Sequence, residues 1–140
     1  RNNKQEILLG KRLNRPAQGS WFVPGGRILK DESLENAFKR LMKEELAIET
    51  QGLKAHNGTF KGIYQHFYDD NDHEVIQTHY VVLAYSIEFK GSLDSLPKDQ
   101  HGSYKWLLEK ELLIDSRVHK HTKWYFQKGQ NADALFTDIS

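Results

Sequence analysis

Two adjacent glutamates near the end of a predicted helix are the residues of this sequence best suited to bind a cation. Glu44 and Glu45 lie in the stretch 25–48, which opens with the glycine pair Gly25 and Gly26. Glycines let the backbone turn sharply and bring its carbonyl groups close to a ligand. Carboxylate and carbonyl oxygens are the ligands that hard cations prefer. These residue types therefore predict a cation site between the glycine turn and the helix.

The helix that positions the two glutamates is predicted from its start signal and its apolar stripe. Asp31 or Ser33 can cap the first turn, and no Gly or Pro interrupts the run that follows. The apolar side chains at helical spacing are Leu34, Phe38 and Leu41. Since Glu44 and Glu45 follow Leu41 by three and four residues, all three project toward neighbouring parts of one helix surface.

The remaining elements are read from local periodicity and from turn residues. Apolar runs and alternation predict strands over 6–11, 59–68, 77–89 and 104–106. Further helices are predicted over 109–113 and 116–128, a hairpin turn over 69–74 and a loop over 91–102. The strand over 77–89 has a predicted apolar face made of Val81, Leu83, Tyr85, Ile87 and Phe89. This mixture predicts one compact α/β or α+β domain spanning residues 1–140.

Composition narrows the classes of function. The 140 residues are 38% hydrophobic, which is enough for the core of one domain. A net charge of +1 gives no broad field for nucleic acid or membrane binding, so neither partner is expected. The absence of cysteine excludes disulfides and thiolate metal sites and fits a cytoplasmic protein. No apolar run is long enough to span a membrane.

The spacing within the opening stretch resembles the Nudix box, Gly-x5-Glu-x7-Arg-Glu-U-x-Glu-Glu-x-Gly-U, in which U is a bulky apolar residue. The matching positions are Gly26, Glu32, Arg40, Glu44, Glu45 and Ile48. The resemblance implies an α/β fold, an α/β/α sandwich with a mixed sheet and a metal at the turn between loop and helix. It also implies hydrolysis of a nucleoside diphosphate linked to another group.

Two positions depart from the box. Leu41 stands where the family has a glutamate, and Ala47 stands where it has a glycine. A carboxylate at position 41 would have joined Glu44 and Glu45 on one face, so one potential ligand or base is missing. Two interpretations follow: a Nudix fold that no longer catalyses, or an enzyme whose base lies outside the helix.

Further segments are similar to one branch of the family, the GDP-mannose mannosyl hydrolases. The similar segments are 8–12, 14–27, 64–71, 78–83 and 99–107. This branch lacks the same glutamate, and its members use water to attack the sugar anomeric carbon, which yields GDP and an inverted sugar. The resemblance implies GDP-mannose as substrate, with GDP-glucose as a further candidate, and a homodimer.

The metal ligands are implied by the same resemblance. Carried over by position, they are the carbonyl of Gly25 and the side chains of Glu45 and Gln100, whereas Glu44 is left open. Such oxygen ligands suit one Mg²⁺ per subunit, with Mn²⁺ as an alternative. His101 would be the base, because an imidazole can accept a proton from water near neutral pH.

The leaving diphosphate would be met by Arg12, Arg27 and Arg40, because guanidinium groups match phosphate oxygens. Tyr80 would donate a hydrogen bond from its hydroxyl to the leaving group, and His66 would contact the sugar.

Each assignment has a purely structural alternative. Arg40 could pair with Glu32 or Glu44, Tyr80 could pack on its strand, and His66 could be a wall residue. His73, His79, His119 and His121 are expected to be ordinary, and the aromatics Trp106, Trp124, Tyr125 and Phe126 to be core or interface.

One expected feature of this branch has no match. The resemblance expects an N-terminal strand with an aspartate near the sugar, and no residue of this sequence corresponds to it. Either that segment precedes Arg1 or the protein differs there. Two other functions remain open from the sequence: a Nudix pyrophosphohydrolase that cleaves between phosphates, and a silent module that binds nucleotide sugars.

Overall fold

The computed structural model describes residues 1–15, 17–49, 58–68 and 78–127. In these ranges the strands are β1 (Ile7–Arg12), β2 (Trp21–Phe22), β3 (Thr59–Tyr68), β4 (Thr78–Ser86) and β5 (His101–Leu107). The helices are α1 (Leu34–Leu46), α2 (Glu109–Ile114) and α3 (Lys120–Trp124), with a short 3₁₀ turn at Leu93–Ser95.

The strands form two antiparallel groups. β1 lies between β2 and β5, and β3 pairs with β4 in a two-stranded ribbon. An irregularity in β1 between Gly10 and Arg12 shifts its register against β5, so that Arg12 lies opposite His101. In the ribbon, His66 lies opposite Tyr80. Strand pairing thus brings four predicted site residues together as two pairs, Arg12 with His101 and His66 with Tyr80.

Helices cover both faces of the central sheet because the residues of β1 alternate between two cores. Ile7 and Leu9 pack with Leu112 of α2 and with Val118 on one face. Leu8 points the other way and packs with a cluster that contains Leu46 of α1. Burying an aliphatic side chain of this size contributes about 1.5–3 kcal/mol. The result is the helix–sheet–helix layering that the sequence predicted.

Both ends of α1 are closed by specific hydrogen bonds. Ser33 is the N-cap and accepts a bond of 3.1 Å from the Asn36 amide, so Ser33 and not Asp31 begins the helix. Ala47 ends it in the left-handed conformation at φ 54°, and its amide donates to the Lys43 carbonyl at 3.0 Å. The Ile48 amide then reaches back to the Met42 carbonyl at 3.2 Å. This pattern explains why the box has glycine at position 47, since left-handed backbone favours a residue without Cβ.

The helix predicted over 116–128 was wrong at both ends, because α3 spans only Lys120–Trp124. The backbone of 117–119 instead pairs with β2: the Trp21 amide donates to the Arg117 carbonyl, and the His119 amide donates to the Trp21 carbonyl. Peptide groups that bond a strand in this way are not available to a helix. α3 therefore begins only at Lys120.

The segments around β4 and β5 also differ from expectation. His101, predicted in a loop, is the first residue of β5. β4 ends at Ser86, and its predicted apolar face is partly in solvent, with Val81 63% and Tyr85 40% exposed. Only Ile87 and Phe89, which follow the strand, join the core. The predicted hairpin turn over 69–74 lies outside the described residues.

Candidate active site

Glu45 and His101 form a buried pair between α1 and β5. Their side chains are 6% and 4% exposed, and Nδ1 of His101 lies 3.8 Å from Oε2 of Glu45. The imidazole fits here because its ring lies against a glycine of β1, Gly10. A Cβ at Gly10 would lie only 2.6 Å from Cγ of His101, so any larger residue would displace the ring.

The charges of this pair are set mainly by burial. Burial raises the pKa of Glu45 to about 7, helped by the negative charge of Glu44 and opposed by Arg12. Burial also lowers the pKa of His101 to about 4, and the nearby charge of Arg12 adds to that effect. At neutral pH the imidazole is therefore uncharged and can accept a proton.

A cavity of about 150 Å³ opens beside the pair. Its lining residues are Glu44, Glu45, Pro97, Asp99, Gln100 and Tyr104. Three carboxylates and one amide oxygen among them are the hard donors that suit Mg²⁺, and the volume admits an ion with several waters. Gly25 lies exposed in the turn before α1 and does not line this cavity. The donor set therefore fits the predicted cation, with Glu45 and Gln100 at the cavity wall.

Acidic and histidine side chains alone do not complete a metal centre here. Among the residues that the structure describes, no group of three or more His, Cys, Asp or Glu side chains could hold a metal ion. A cation at this cavity would therefore also need amide, carbonyl or water oxygens, as Mg²⁺ commonly does.

Leu41 occupies the position of the missing box glutamate. Its Cδ2 packs directly on Gly26, so closely that a Cβ at position 26 would overlap it. A larger residue at position 26 would therefore have to displace the end of the Leu41 side chain. Position 41 closes the turn onto α1 and supplies no charge.

Arg40 is bonded by the protein itself. Its Nε donates to Glu32 at 2.8 Å, Nη1 donates to Glu44 at 3.0 Å, and Nη2 donates to the Arg27 carbonyl at 2.6 Å. These bonds raise the pKa of Arg40, while the Arg40 guanidinium lowers the pKa of Glu32 to about 2. The geometry favours the structural interpretation of Arg40, which ties the turn to α1. Its contact with a diphosphate stays a prediction.

Arg12 and Arg27 instead rest on aromatic rings. Cζ of Arg12 lies 5.5 Å from the centre of the Phe22 ring, and Cζ of Arg27 lies 5.8 Å from that of Tyr80. The electrostatic influence of Arg12 on both Glu45 and His101 places it beside the buried pair. The structure thus brings Arg12 to His101 and, separately, Arg27 to Tyr80, and the union of the two pairs in one site stays a prediction.

His66 lies under α3. It is 4% exposed, and its ring stacks on that of His121 with centroids 4.3 Å apart and planes at 12°. Burial lowers the pKa of His66 to about 4 and that of His121 to about 3, so both rings are neutral near pH 7. This position favours a wall residue over a sugar contact for His66, although its cross-strand partner is Tyr80.

His119 and His121, which were expected to be ordinary residues, are packed among other rings. Both belong to a ring cluster with His66, Tyr68 and Trp124. The aromatics expected in the core or an interface do pack there: Trp106 and Phe126 border the two hydrophobic cores, and Trp124 and Tyr125 contact His66. The density of rings over 119–126 was the only sequence signal, and it does not indicate which strand they would meet.

Comparison with known proteins identifies the class. The model of the NUDIX domain family matches residues 1–127, so the chain belongs to this family, and the predicted fold class is confirmed. The chain is also similar to the low-salt glycan biosynthesis protein Agl8 of Haloferax volcanii, with 41% identity over 101 residues. That match covers 71% of this chain and only 60% of the relative.

Solved structures share the fold at low identity. The MutT protein of Methanosarcina mazei Go1 aligns with a TM-score of 0.69 and 20% identity, over 100% of this chain and 89% of that one. The NUDIX domain of Shewanella oneidensis NrtR, in complex with ADP ribose, aligns with a TM-score of 0.61 and 19% identity, over 99% and 80%. In the described residues no helix is long and apolar enough to cross a membrane.

Proposed function

We propose that this protein hydrolyses a GDP-sugar, with GDP-mannose as the leading substrate and GDP-glucose as a further candidate. Water attacks the anomeric carbon, and the products are GDP and a free sugar whose anomeric configuration is inverted. The observation that carries the proposal is the placement of His101 against Glu45 while Leu41 fills the position of the missing carboxylate. α1, the helix of the Nudix box, thus lacks a base at position 41, and the imidazole of His101 lies beside this helix.

Members of this family generally use a divalent cation. Glu45 and Gln100, at the cavity wall, would hold Mg²⁺ or Mn²⁺, and the carbonyl of Gly25, which does not line this cavity, stays a predicted ligand. When bound, the cation would supply positive charge against the charge that develops on the departing diphosphate. Glu45 is suited to this task because its carboxylate is buried and aimed at a cavity lined by oxygen donors.

The positive groups bind and orient the diphosphate. Arg12 of β1 and Arg27 of the turn before α1 would hold the leaving group through their guanidinium groups, which match phosphate oxygens. Tyr80, under Arg27, has a hydroxyl that can donate to the same group. Since a nucleoside diphosphate is a weak base, no separate general acid is needed.

His101 accepts the proton in this scheme. A bond forms between the water oxygen and the anomeric carbon, and the bond from that carbon to the phosphate oxygen breaks. The electron pair leaves with GDP, while the water proton moves to the neutral imidazole. The Glu45 carboxylate, 3.8 Å away, stabilises the resulting positive ring. Attack from the face opposite the leaving group gives inversion.

The similarity to Agl8 supports a sugar nucleotide as substrate, because glycan biosynthesis uses activated sugars. The predicted homodimer and cytoplasmic location stay predictions.

The test is hydrolysis of GDP-mannose with Mg²⁺ in ¹⁸O-labelled water. We expect the label on free mannose and none on phosphate. Label in GMP or sugar phosphate would instead identify a pyrophosphohydrolase, and absence of any product would identify a silent binding module. Either of these results would overturn the proposal.

A further inference from the structure

Arg12 is oriented by a ring. Its Nε is buried and has no hydrogen-bond partner among the described residues, while its Cζ lies 5.5 Å from the Phe22 ring centre. A guanidinium over an aromatic face is attracted to it, and more strongly where water is excluded. The direction of the Arg12 side chain therefore depends on where the Phe22 ring lies.

The Phe22 ring is itself held by His119. The two rings stack with centroids 4.6 Å apart and planes at 22°. His119 is fixed at two points: its amide donates to the Trp21 carbonyl at 3.1 Å, and its Nδ1 accepts the His121 amide at 3.1 Å. Because Nδ1 is engaged, the imidazole cannot rotate without losing the cap of α3.

His119 is also connected, through Tyr68, to Tyr80, the ring on which Arg27 lies. Its ring contacts Tyr68 at 5.7 Å, and Tyr68 contacts Tyr80 at 5.9 Å with planes at 72°. Tyr80 is the ring beneath Arg27. One chain of four rings thus runs from Arg12 to Arg27, and His119 is its second ring, one ring away from Arg12 and two rings away from Arg27.

We propose that His119 is a positioning residue that sets the two arginines at the spacing required by a nucleoside diphosphate. The proposal rests on the proposed function, because it assigns the diphosphate to Arg12 and Arg27. His119 acts through Phe22 on one side and through Tyr68 and Tyr80 on the other, and it does not itself touch the ligand.

Two substitutions separate the ring of His119 from its hydrogen bond. His119→Asn keeps an acceptor at a position where Asn is a preferred N-cap, but it removes the ring. His119→Phe keeps a ring and removes the acceptor. We expect His119→Asn to raise the Kd for GDP and the KM for GDP-mannose roughly 5- to 10-fold, with a smaller change in kcat. His119→Phe keeps both constants within about twofold and lowers Tm.

The chain offers a matched control in His79. It stacks on Phe67 with centroids 4.2 Å apart and planes at 20°, nearly the geometry of His119 on Phe22. This second pair lies on the exposed face of the ribbon. His79→Asn removes a similar stacked ring and should leave the Kd and KM unchanged. If His119→Asn does not fold, Phe22→Leu tests the same stack and should raise the Kd for GDP similarly.

Calorimetry with GDP and Mg²⁺ needs no turnover, so it separates failure of this inference from failure of the proposed reaction. If the wild-type protein binds GDP but releases no mannose, the reaction is wrong, and the Kd values still decide the role of His119. Folded His119→Asn with a wild-type Kd would overturn the inference, as would equal losses in His119→Asn and His119→Phe. A wild-type protein that does not bind GDP would overturn both proposals.

Discussion

The two sides of the candidate site hold their charges in different ways. On the acidic side, Glu45 is buried with His101. Burial raises the pKa of Glu45 and lowers the pKa of His101, so that it favours the neutral form of each group. On the basic side, Arg12 and Arg27 lie over the rings of Phe22 and Tyr80. Aromatic faces favour a cation without neutralising it.

This difference indicates which side changes when ligands arrive. A carboxyl group with a pKa near 7 gains most from a cation, because the cation restores its charge. The arginines carry a positive charge with or without a ligand, so they need only be positioned to contact the diphosphate. Substitutions on the acidic side should therefore alter turnover and metal dependence, and those on the basic side should alter diphosphate affinity.

The strongest test of the comparison is His101→Gln. If His101 is the general base, kcat falls by a factor on the order of 10²–10⁴ because the proton acceptor is lost. The Kd for GDP, which reports the basic side, should stay at the wild-type value. Steady-state kinetics and calorimetry on the same preparation measure both. A nearly unchanged kcat would remove His101 from this role.

Glu45→Gln should change the metal dependence. An amide keeps the shape but loses the charge, so we expect the Mg²⁺ concentration for half-maximal activity to rise by roughly 10- to 100-fold. Asp94→Asn, an exposed acid of the 3₁₀ turn, is the control and should titrate like the wild type. Wild-type behaviour of Glu45→Gln at limiting Mg²⁺ would contradict its assignment as a ligand.

The rings behind the basic side predict sensitivity to acid. The pKa values of His66 and His121, about 4 and about 3, lie below the value near 6.5 of an unfolded chain. As pH falls below 6.5 the unfolded state binds protons first, so the free energy of unfolding decreases, by about 2 kcal/mol per histidine at pH 5. The contribution of the two neutral rings to the free energy of unfolding is fully present above pH 6.5. It is lost progressively as the pH falls from 6.5 to the pKa values of the folded protein, about 4 and about 3.

Urea unfolding at pH 7.5 and pH 5 measures this loss. His121→Phe should remove about 2 kcal/mol of the difference between the two pH values, because one titrating ring is gone. The exposed His79→Phe serves as its control and should keep the wild-type difference. An unaltered pH dependence in His121→Phe would show that His121 does not couple protonation to folding.

The smallest expected effect lies at the C-terminal end of α1. Ala47→Gly should stabilise the protein by about 0.5–1 kcal/mol, because position 47 has a positive φ that costs a residue with Cβ. Ala37→Gly, at a buried position near the start of α1, should instead destabilise it by about 1 kcal/mol. Denaturant unfolding compares the two. A lower stability of Ala47→Gly would contradict this account of the helix end.

The sequence predicted the acidic side better than the basic side for a physical reason. The glycine turn, the Ser33 cap and Glu45 belong to one contiguous stretch, and helix periodicity relates them without knowledge of the rest of the fold. β3 was likewise predicted with its observed bounds, Thr59–Tyr68.

The basic side is assembled from distant segments. Phe22, Tyr68, Tyr80 and His119 come from β2, β3, β4 and the residue before α3. Their meeting depends on strand pairing and on the bonds between Trp21 and 117–119, which local patterns do not contain. The same bonds explain why the predicted helix began too early. His101 was assigned to a loop because the glycine that follows it in β5 is a weak strand former.

The bond from Arg40 to the Arg27 carbonyl bears on how the protein can evolve. Because only the main-chain oxygen of Arg27 takes part, any residue type at position 27 would supply the same acceptor. The turn therefore keeps its anchor when the side chain at 27 changes. Positions 32 and 40 are tied to each other through their side chains, whereas position 27 can vary in ligand preference with little penalty to folding.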